Sequence, residues 1–272
     1  MGKFDGILLC TDLDGTLLRK DKTVSEENRR AIEYFKNEGG LFTVITGRVA
    51  FYSGDIFSAV EPNAPAGCGN GGGLFDTQTG QYLWQMPLPE RAKELIADMA
   101  KKFPEIGIWV NTFHKAYFFQ ENDLLTRIRN LRGLPRTNCT LQEIAEPMAK
   151  ATFCADAKVI NALQPVLDAH PLAKEFTLVR SEETLYEMLP KGVGKHLTIQ
   201  KLTEFLHLDP KKTVAVGDYY NDLPMLQAAG TAIAVANAVP EVKAVADHIT
   251  VSNEEHAIAR IIADLERGEL KL

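Results

Sequence analysis

Two aspartates, Asp12 and Asp14, sit one residue apart at the end of the apolar run Ile7–Thr11, in the stretch ILLCTDLDGTLL. An unpaired charge is expensive to bury, so two carboxylates leaving a buried strand need a compensating cation or a chemical task. Two other polar clusters share this setting. Thr46, Gly47 and Arg48 follow the apolar stretch 41–45 (LFTVI), and GDYYND, Gly217 to Asp222, closes another (TVAVG, 213–217). Brought together, Asp12, Asp14, Asp218 and Asp222 would repel one another, which implies a hard divalent cation, and oxygen-only ligands favour Mg²⁺. Arg48 and a lysine would then neutralise an anionic substrate, most simply a phosphate. Taken singly, each piece has a plainer reading. The Asp12–Asp14 segment is compatible with an Asx-turn, residues 46–48 with an ordinary loop, and 217–222 with a turn in which Asp222 caps the next helix.

The surrounding pattern predicts how these residues are carried. Residues 7–11 read as a strand covered on both faces. Ser25 suits a helix N-cap, Glu26 and Glu27 the positive end of the dipole, and Ala31, Ile32 and Phe35 one buried face, with Gly39–Gly40 as the stop. Strands follow at 41–45, 213–217, 232–235 and 248–251, and helices at about 195–206, after Asp222, near 240–246 and at the end. Strands alternating with helices predict an α/β fold with a doubly wound, mostly parallel Rossmann-like sheet, in which ligands bind at the carboxyl ends of the strands. Between them, 84–187 mixes candidate strands (106–110, 116–120, 151–155, 176–180) with helices (89–102, 161–169). The expected organisation is a core of 1–83 and 188–272 with an inserted α+β domain, 84–187.

The bulk composition narrows the function classes. The 272 residues are 45% hydrophobic and 24% charged, with a formal net charge of −6. No run approaches a membrane span, and Asp12 arrives too early for a signal peptide, so a cytoplasmic protein is expected. With 30 Lys and Arg against 36 Asp and Glu, there is no basic excess of the kind nucleic-acid binding needs. The four cysteines, Cys10, Cys68, Cys139 and Cys154, are widely spaced and read as small buried residues. The oligomeric state is left open.

As a set, DLDGTLL (12–18), VITGR (44–48), LPKGVGK (189–195), VGDYYNDLPML (216–226) and ANAVPEVKAVADHIT (236–250) resemble the haloacid dehalogenase-like (HAD) hydrolases, in particular the Cof-type phosphatases with a large inserted C2-type cap. The resemblance covers both ends of the chain, and the middle matches in length and position. It implies a Mg²⁺-dependent phosphatase acting on a small phosphorylated metabolite, a sugar phosphate or similar polyol. Asp12 would be the nucleophile that forms an aspartyl-phosphate, and Asp14 the general acid and then base. Thr46 and the Gly47 backbone would hold phosphoryl oxygens, with Arg48 near the substrate and Asn221 on the phosphate. Lys195 would neutralise the nucleophile and the transferring group, Lys191 being its nearby competitor. Asp12, Asp14 (through its carbonyl), Asp218 and Asp222 would form the metal site, Asp222 acting through water or Lys195. The segment AIAVANA departs from the family in lacking the usual methionine-glycine before the asparagine. A phosphotransferase or mutase using the same aspartyl-phosphate is the alternative, and a non-enzymatic phospho-aspartate signalling module a weaker one.

Other signals lead elsewhere or nowhere. Gly67, Gly69 and Gly72 formally fit G-x-G-x-x-G, but the following GLFDTQTGQYLWQ reads as a hairpin rather than the helix a dinucleotide site requires. Those glycines more simply let a loop pass close to the site, with Asn70 nearby. GVGKH lacks the spacing of a P-loop. Substrate selection should reside in the inserted domain, where Asn111, His114 and Arg180 are conceivable contacts but are expected as surface residues.

Overall fold

The computed structural model describes residues 2–131, 133–137, 139–270 and 272. The chain runs β1 (Leu8–Thr11), α1 (Glu26–Asn37), β2 (Leu41–Val44), α2 (Gly54–Val60), β3 (Ala66–Cys68), β4 (Gly73–Asp76) and β5 (Gln81–Gln85). It continues through α3 (Ala92–Lys102), β6 (Gly107–Thr112), β7 (Ala116–Gln120), α4 (Asp123–Leu131), β8 (Met148–Cys154), α5 (Ala157–Asp168), β9 (Phe176–Glu182) and β10 (Leu185–Pro190). The last part holds α6 (His196–Leu206), β11 (Thr213–Gly217), α7 (Leu223–Ala228), β12 (Thr231–Ala234), α8 (Pro240–Val245), β13 (His248–Ile249) and α9 (Ala257–Glu266). Two compact units result. One takes in the chain up to Gly47, Ser53–Trp84 and Gly194 onward; the other comprises Arg48–Tyr52 and Gln85–Val193.

The first unit is built on a parallel sheet in the order β13-β12-β11-β1-β2. Every residue of β1 is buried, as a strand covered on both faces must be, and it reads as a continuous apolar run for that reason. Thr11 stands opposite both Val44 and Val216, so three chains leave the sheet side by side at its carboxyl end. Helix α1 starts where the sequence predicts: the Ser25 hydroxyl accepts from the Asn28 amide at 3.2 Å, and Ile32 and Phe35 are buried. Gly39, at φ +88°, ends it, and a Cβ there would collide with the Asp5 carboxylate. β3, β4 and β5 form a small separate sheet, with β3 antiparallel to β4.

The second unit is an antiparallel sheet in the order β7-β6-β8-β10-β9. Helices α3 and α5 cover one face, burying Leu95, Ile96, Met99, Ile160 and Leu163 against Ile108, Val110, Phe153 and Met188. Strand β10 has no counterpart among the expected elements, because Glu187 interrupts its apolar run and masks the pattern. The structure resolves the conflict with a buried ion pair, Lys150 Nζ to Glu187 Oε1 at 2.5 Å. β13 is shorter than the expected 248–251, pairing through two residues. Three cysteines are buried and free as expected; Cys139, also free, is partly exposed.

Removing one partner of a buried pair leaves an uncompensated charge. Lys150→Met is therefore expected to lower stability by about 3–5 kcal/mol in urea unfolding. Lys150→Met with Glu187→Leu should recover most of that loss, and a double variant no better than the single one would contradict the pairing.

Candidate active site

The first unit gathers its polar clusters at the carboxyl end of the parallel sheet. The Asp12 amide still donates to the Val216 carbonyl at 2.9 Å, so the residue is held in register before the chain turns away. Its carboxylate is almost fully buried. Across the sheet, Asp218 follows the last residue of β11, and Asp222 lies one turn further on with no solvent exposure. Lys195, at the start of α6 and fully buried, places its ammonium 2.5 Å from both Asp12 Oδ1 and Asp222 Oδ1. Lys191, the alternative lysine, is exposed and belongs to the second unit.

Each carboxylate has a distinct set of partners. Asp222 Oδ2 accepts from the backbone amides of Asp218 (2.8 Å) and Tyr219 (3.1 Å), so this side chain braces its own loop and makes no cap bond to α7. Asp218 Oδ1 accepts from the Thr16 hydroxyl at 2.8 Å. Gly15, at φ +88°, passes directly over Asp218; a Cβ there would lie 2.5 Å from Oδ2. Asp14 is half-exposed and receives the Lys22 ammonium at 2.8 Å. Thr46 is buried, and its carbonyl accepts the Asn70 amide at 2.9 Å; Asn70 Oδ1 in turn accepts from Asn221 Nδ2 at 3.1 Å. A Cβ on Gly47 would stand 3.1 Å from that same Asn70 oxygen, so the 46–47 loop passes close to the Asn70 side chain. Asn70 takes up a left-handed conformation (φ 57°), and Gly71 beside it (φ +90°) packs on the Gly194–Lys195 backbone. Arg48, next in the chain, begins the Arg48–Tyr52 stretch of the second unit.

Some supporting residues escaped the sequence reading. Thr16 carries no signal beyond its closeness to the aspartates. Asn237 Nδ2 donates to the Gly15 carbonyl at 2.8 Å, and its Oδ1 accepts the Asn253 amide at 3.0 Å. Asn253 Nδ2 reaches the Leu18 carbonyl at 2.8 Å. The loop that bears Asp12 and Asp14 is thus fastened to the C-terminal part of the unit.

The electrostatics are unbalanced in a definite direction. Burial pushes the Asp12 carboxyl well above its ordinary range; Lys195 opposes the rise and Asp222 and Asp218 add to it. Burial would lower the Lys195 value, but Asp12 and Asp222 outweigh it and keep the ammonium protonated. Asp218 is pushed up from 3.8 to about 7, first by burial and then by Asp222, against the Thr16 hydrogen bond and Lys195. One ammonium is too little charge for this many carboxylates. Carboxylate oxygens of Asp12, Asp218 and Asp222 lie within 4.8 Å of one another. The second oxygens of Asp12 and Asp218 take no hydrogen bond among the described residues, whereas both Asp222 oxygens are already engaged. An all-oxygen, anionic cluster with two uncommitted oxygens fits a hard divalent cation such as Mg²⁺.

The family model for haloacid dehalogenase-like hydrolases matches residues 9–262, and the chain belongs to that family. It is 27% identical over 262 residues to YitU of Bacillus subtilis, a 5-amino-6-(5-phospho-D-ribitylamino)uracil phosphatase, covering 94% of this chain and 96% of that one. To the phosphatase YwpJ of the same organism it is 26% identical over 293 residues, covering 95% and 99%. The solved structure of a haloacid dehalogenase-like hydrolase from Bacteroides thetaiotaomicron matches with a TM-score of 0.84 at 25% identity, over 95% and 99% of the two chains. The protein is accordingly an enzyme, a phosphatase. Among the described residues no helix is long and apolar enough to cross a membrane.

The raised Asp218 value has a sign that can be checked. Without a cation the folded protein binds a proton at Asp218 that the unfolded chain, at 3.8, has released. The stability this proton confers is full below pH 3.8 and lost as pH rises through about 7. A cation must displace the proton at low pH but meets an ionised site at high pH. Mg²⁺ is therefore expected to raise the melting temperature more at pH 8 than at pH 5.5, with proton release on binding at the lower pH. An equal shift at both values would contradict the coupling.

Proposed function

We propose that this phosphatase is Mg²⁺-dependent, hydrolyses the phosphomonoester of a small sugar or polyol, and works through an aspartyl-phosphate on Asp12. The observation that carries the reading is the buried Lys195 ammonium held between Asp12 and Asp222. A nucleophilic carboxylate must stay ionised while buried, and a fixed cation serves that end without consuming its second oxygen. That YitU is named for a compound with a phosphorylated ribityl chain supports the polyol assignment.

In the first step an Asp12 oxygen bonds to phosphorus while the bond to the ester oxygen breaks, and Asp14 gives its proton to the departing alcohol. In the second, Asp14 takes a proton from water as the water oxygen attacks the same phosphorus. The Asp12–phosphorus bond breaks and inorganic phosphate leaves. Asp12, Asp218 and the Asp14 carbonyl would hold Mg²⁺, with Asp222 behind them, and the bound ion supplies charge stabilisation for the phosphoryl oxygens. Lys195, Thr46, the Gly47 backbone and Asn221 are the groups we assign to the phosphoryl oxygens, and Arg48 to the substrate. The inserted segment is assigned the choice of substrate.

The test is phosphate release from p-nitrophenyl phosphate and a panel of sugar and polyol phosphates. EDTA should abolish it and Mg²⁺ restore it. Asp12→Asn should cost at least about a thousandfold in kcat, and Asp14→Asn about 10²–10⁴-fold. Turnover that survives in Asp12→Asn would sink the covalent route. Phosphorylated acceptor appearing in place of phosphate, when free polyol is added, would make the enzyme a transferase.

A further inference from the structure

The edge of a sheet is a row of backbone donors and acceptors open to any other strand, and chains that stay single blunt it with brevity, charge or a cover. The other end strands of this protein are blunted. β13 pairs through two residues, and β9 carries Arg180 and Glu182. At β7 the Phe118 amide donates to the Thr137 carbonyl at 3.0 Å, so another segment occupies that edge. β2 is continued into β3 by the Ile45–Gly67 bridge. Among the described residues β5 has none of these devices. It ends the order β3-β4-β5, runs the five residues Gln81–Gln85, and lies in a stretch, 77–89, without a charged side chain.

Exposure alternates along β5. Tyr82 and Trp84 are partly covered: the Tyr82 and Phe75 ring centres are 5.0 Å apart, and the Lys201 ammonium of α6 lies 5.8 Å from the centre of the Trp84 ring. Gln81, Leu83 and Gln85 are exposed, Leu83 by 44%. Phe205, four residues after Lys201 and so on the same side of α6, is 55% exposed.

We propose that β5 is a self-association surface, pairing antiparallel with β5 of a second copy about a two-fold axis at Leu83. The strand QYLWQ is close to a palindrome. Such an axis sets Leu83 against the partner's Leu83, Gln81 against the partner's Gln85 and Tyr82 against the partner's Trp84. Leucines and amides then meet on one face and aromatic rings on the other, so each cross-strand pair is of a favourable kind. Charge selects the same surface. At a net charge of −6 two copies repel in most approaches, whereas 77–89 brings no like charges together. Area sets the strength. A stable interface of standard size covers about 800 Å² on each partner. One five-residue edge, even widened by Phe205, falls short of that, which makes a weak dimer with a dissociation constant on the order of 10–100 μM.

Sedimentation equilibrium of the full chain, at concentrations reaching about tenfold either side of that range, should show monomer and dimer in exchange. Leu83→Lys places two ammonium groups opposite each other and should raise the dissociation constant about tenfold or more, with the melting temperature unchanged. Register is read by disulfide formation in a Cys139→Ser background, the other three cysteines being buried. Directly opposed residues of an antiparallel pair have Cα atoms about 4.5–5.5 Å apart, within the span of a disulfide. Leu83→Cys should therefore cross-link into a covalent dimer on mild oxidation. Gln81→Cys, also exposed, should not, until Gln85→Cys is added to it. A wild type that stays monomeric throughout, a Leu83→Lys variant that dimerises as wild type does, or Gln81→Cys linking as fast as Leu83→Cys each overturns the proposal. Should the lysine variant fail to fold, the cross-linking pattern decides.

Discussion

The first unit depends on a single ammonium. Lys195 is fully buried and shared between two carboxylates from different loops, Asp12 and Asp222, so it joins the ends of β1 and β11. Burying any of the three alone would cost several kcal/mol, and the arrangement persists because each has hydrogen bonds as well as opposite charge. Asp222 is the most committed, with the ammonium on one oxygen and two backbone amides on the other. It braces its own loop and fixes the lysine. Asp12 is the least committed, since a single oxygen is taken. That asymmetry sets a carboxylate with both oxygens engaged apart from one with an oxygen to spare.

The crowding explains where glycine is required. Asp218 and Asp222 lie so close to the chain that a Cβ on Gly15 would meet one and a Cβ on Gly217 the other, at 2.5 Å in each case. Gly15 also holds a positive φ, so the loop after Asp14 needs glycine for both space and conformation. The parallel sheet supplies the rest. With Thr11 level with Val44 and Val216, three loops begin at the same height, and side chains distant in sequence converge without long excursions.

Much of this was legible because buried parallel strands leave a strong apolar signal and the polar clusters stand directly after them. β1, β2, β11 and β12 appeared within a residue or two of expectation, as did the helix capped by Ser25. Other parts were hidden for physical reasons. β10 carries a charge in its interior, neutralised by Lys150 on another strand, and local pattern cannot reveal a partner 37 residues away. Asn111 was expected at the surface, as an isolated polar residue usually is, yet it has no exposure, because covering depends on tertiary packing. His114 is exposed as expected, and Arg180 is half-buried and bonded to Asn161. Which lysine enters the site, Lys191 or Lys195, turned on where β10 ends and α6 begins. The roles of Asn237 and Asn253 lie in contacts across the whole chain.

Those two asparagines set a timetable. Leu18 and Asn253 are 235 positions apart, and β1 gains its second neighbour at β11, some two hundred residues after it is made. At a synthesis rate of about 5–20 residues per second, the loop after β1 waits roughly 10–50 s for the segment that fastens it. During that interval β1 has one neighbouring strand and an open edge rich in apolar side chains, the state in which a nascent chain most needs shelter from other chains. An enzyme of this topology is silent on the ribosome until nearly all of it has emerged.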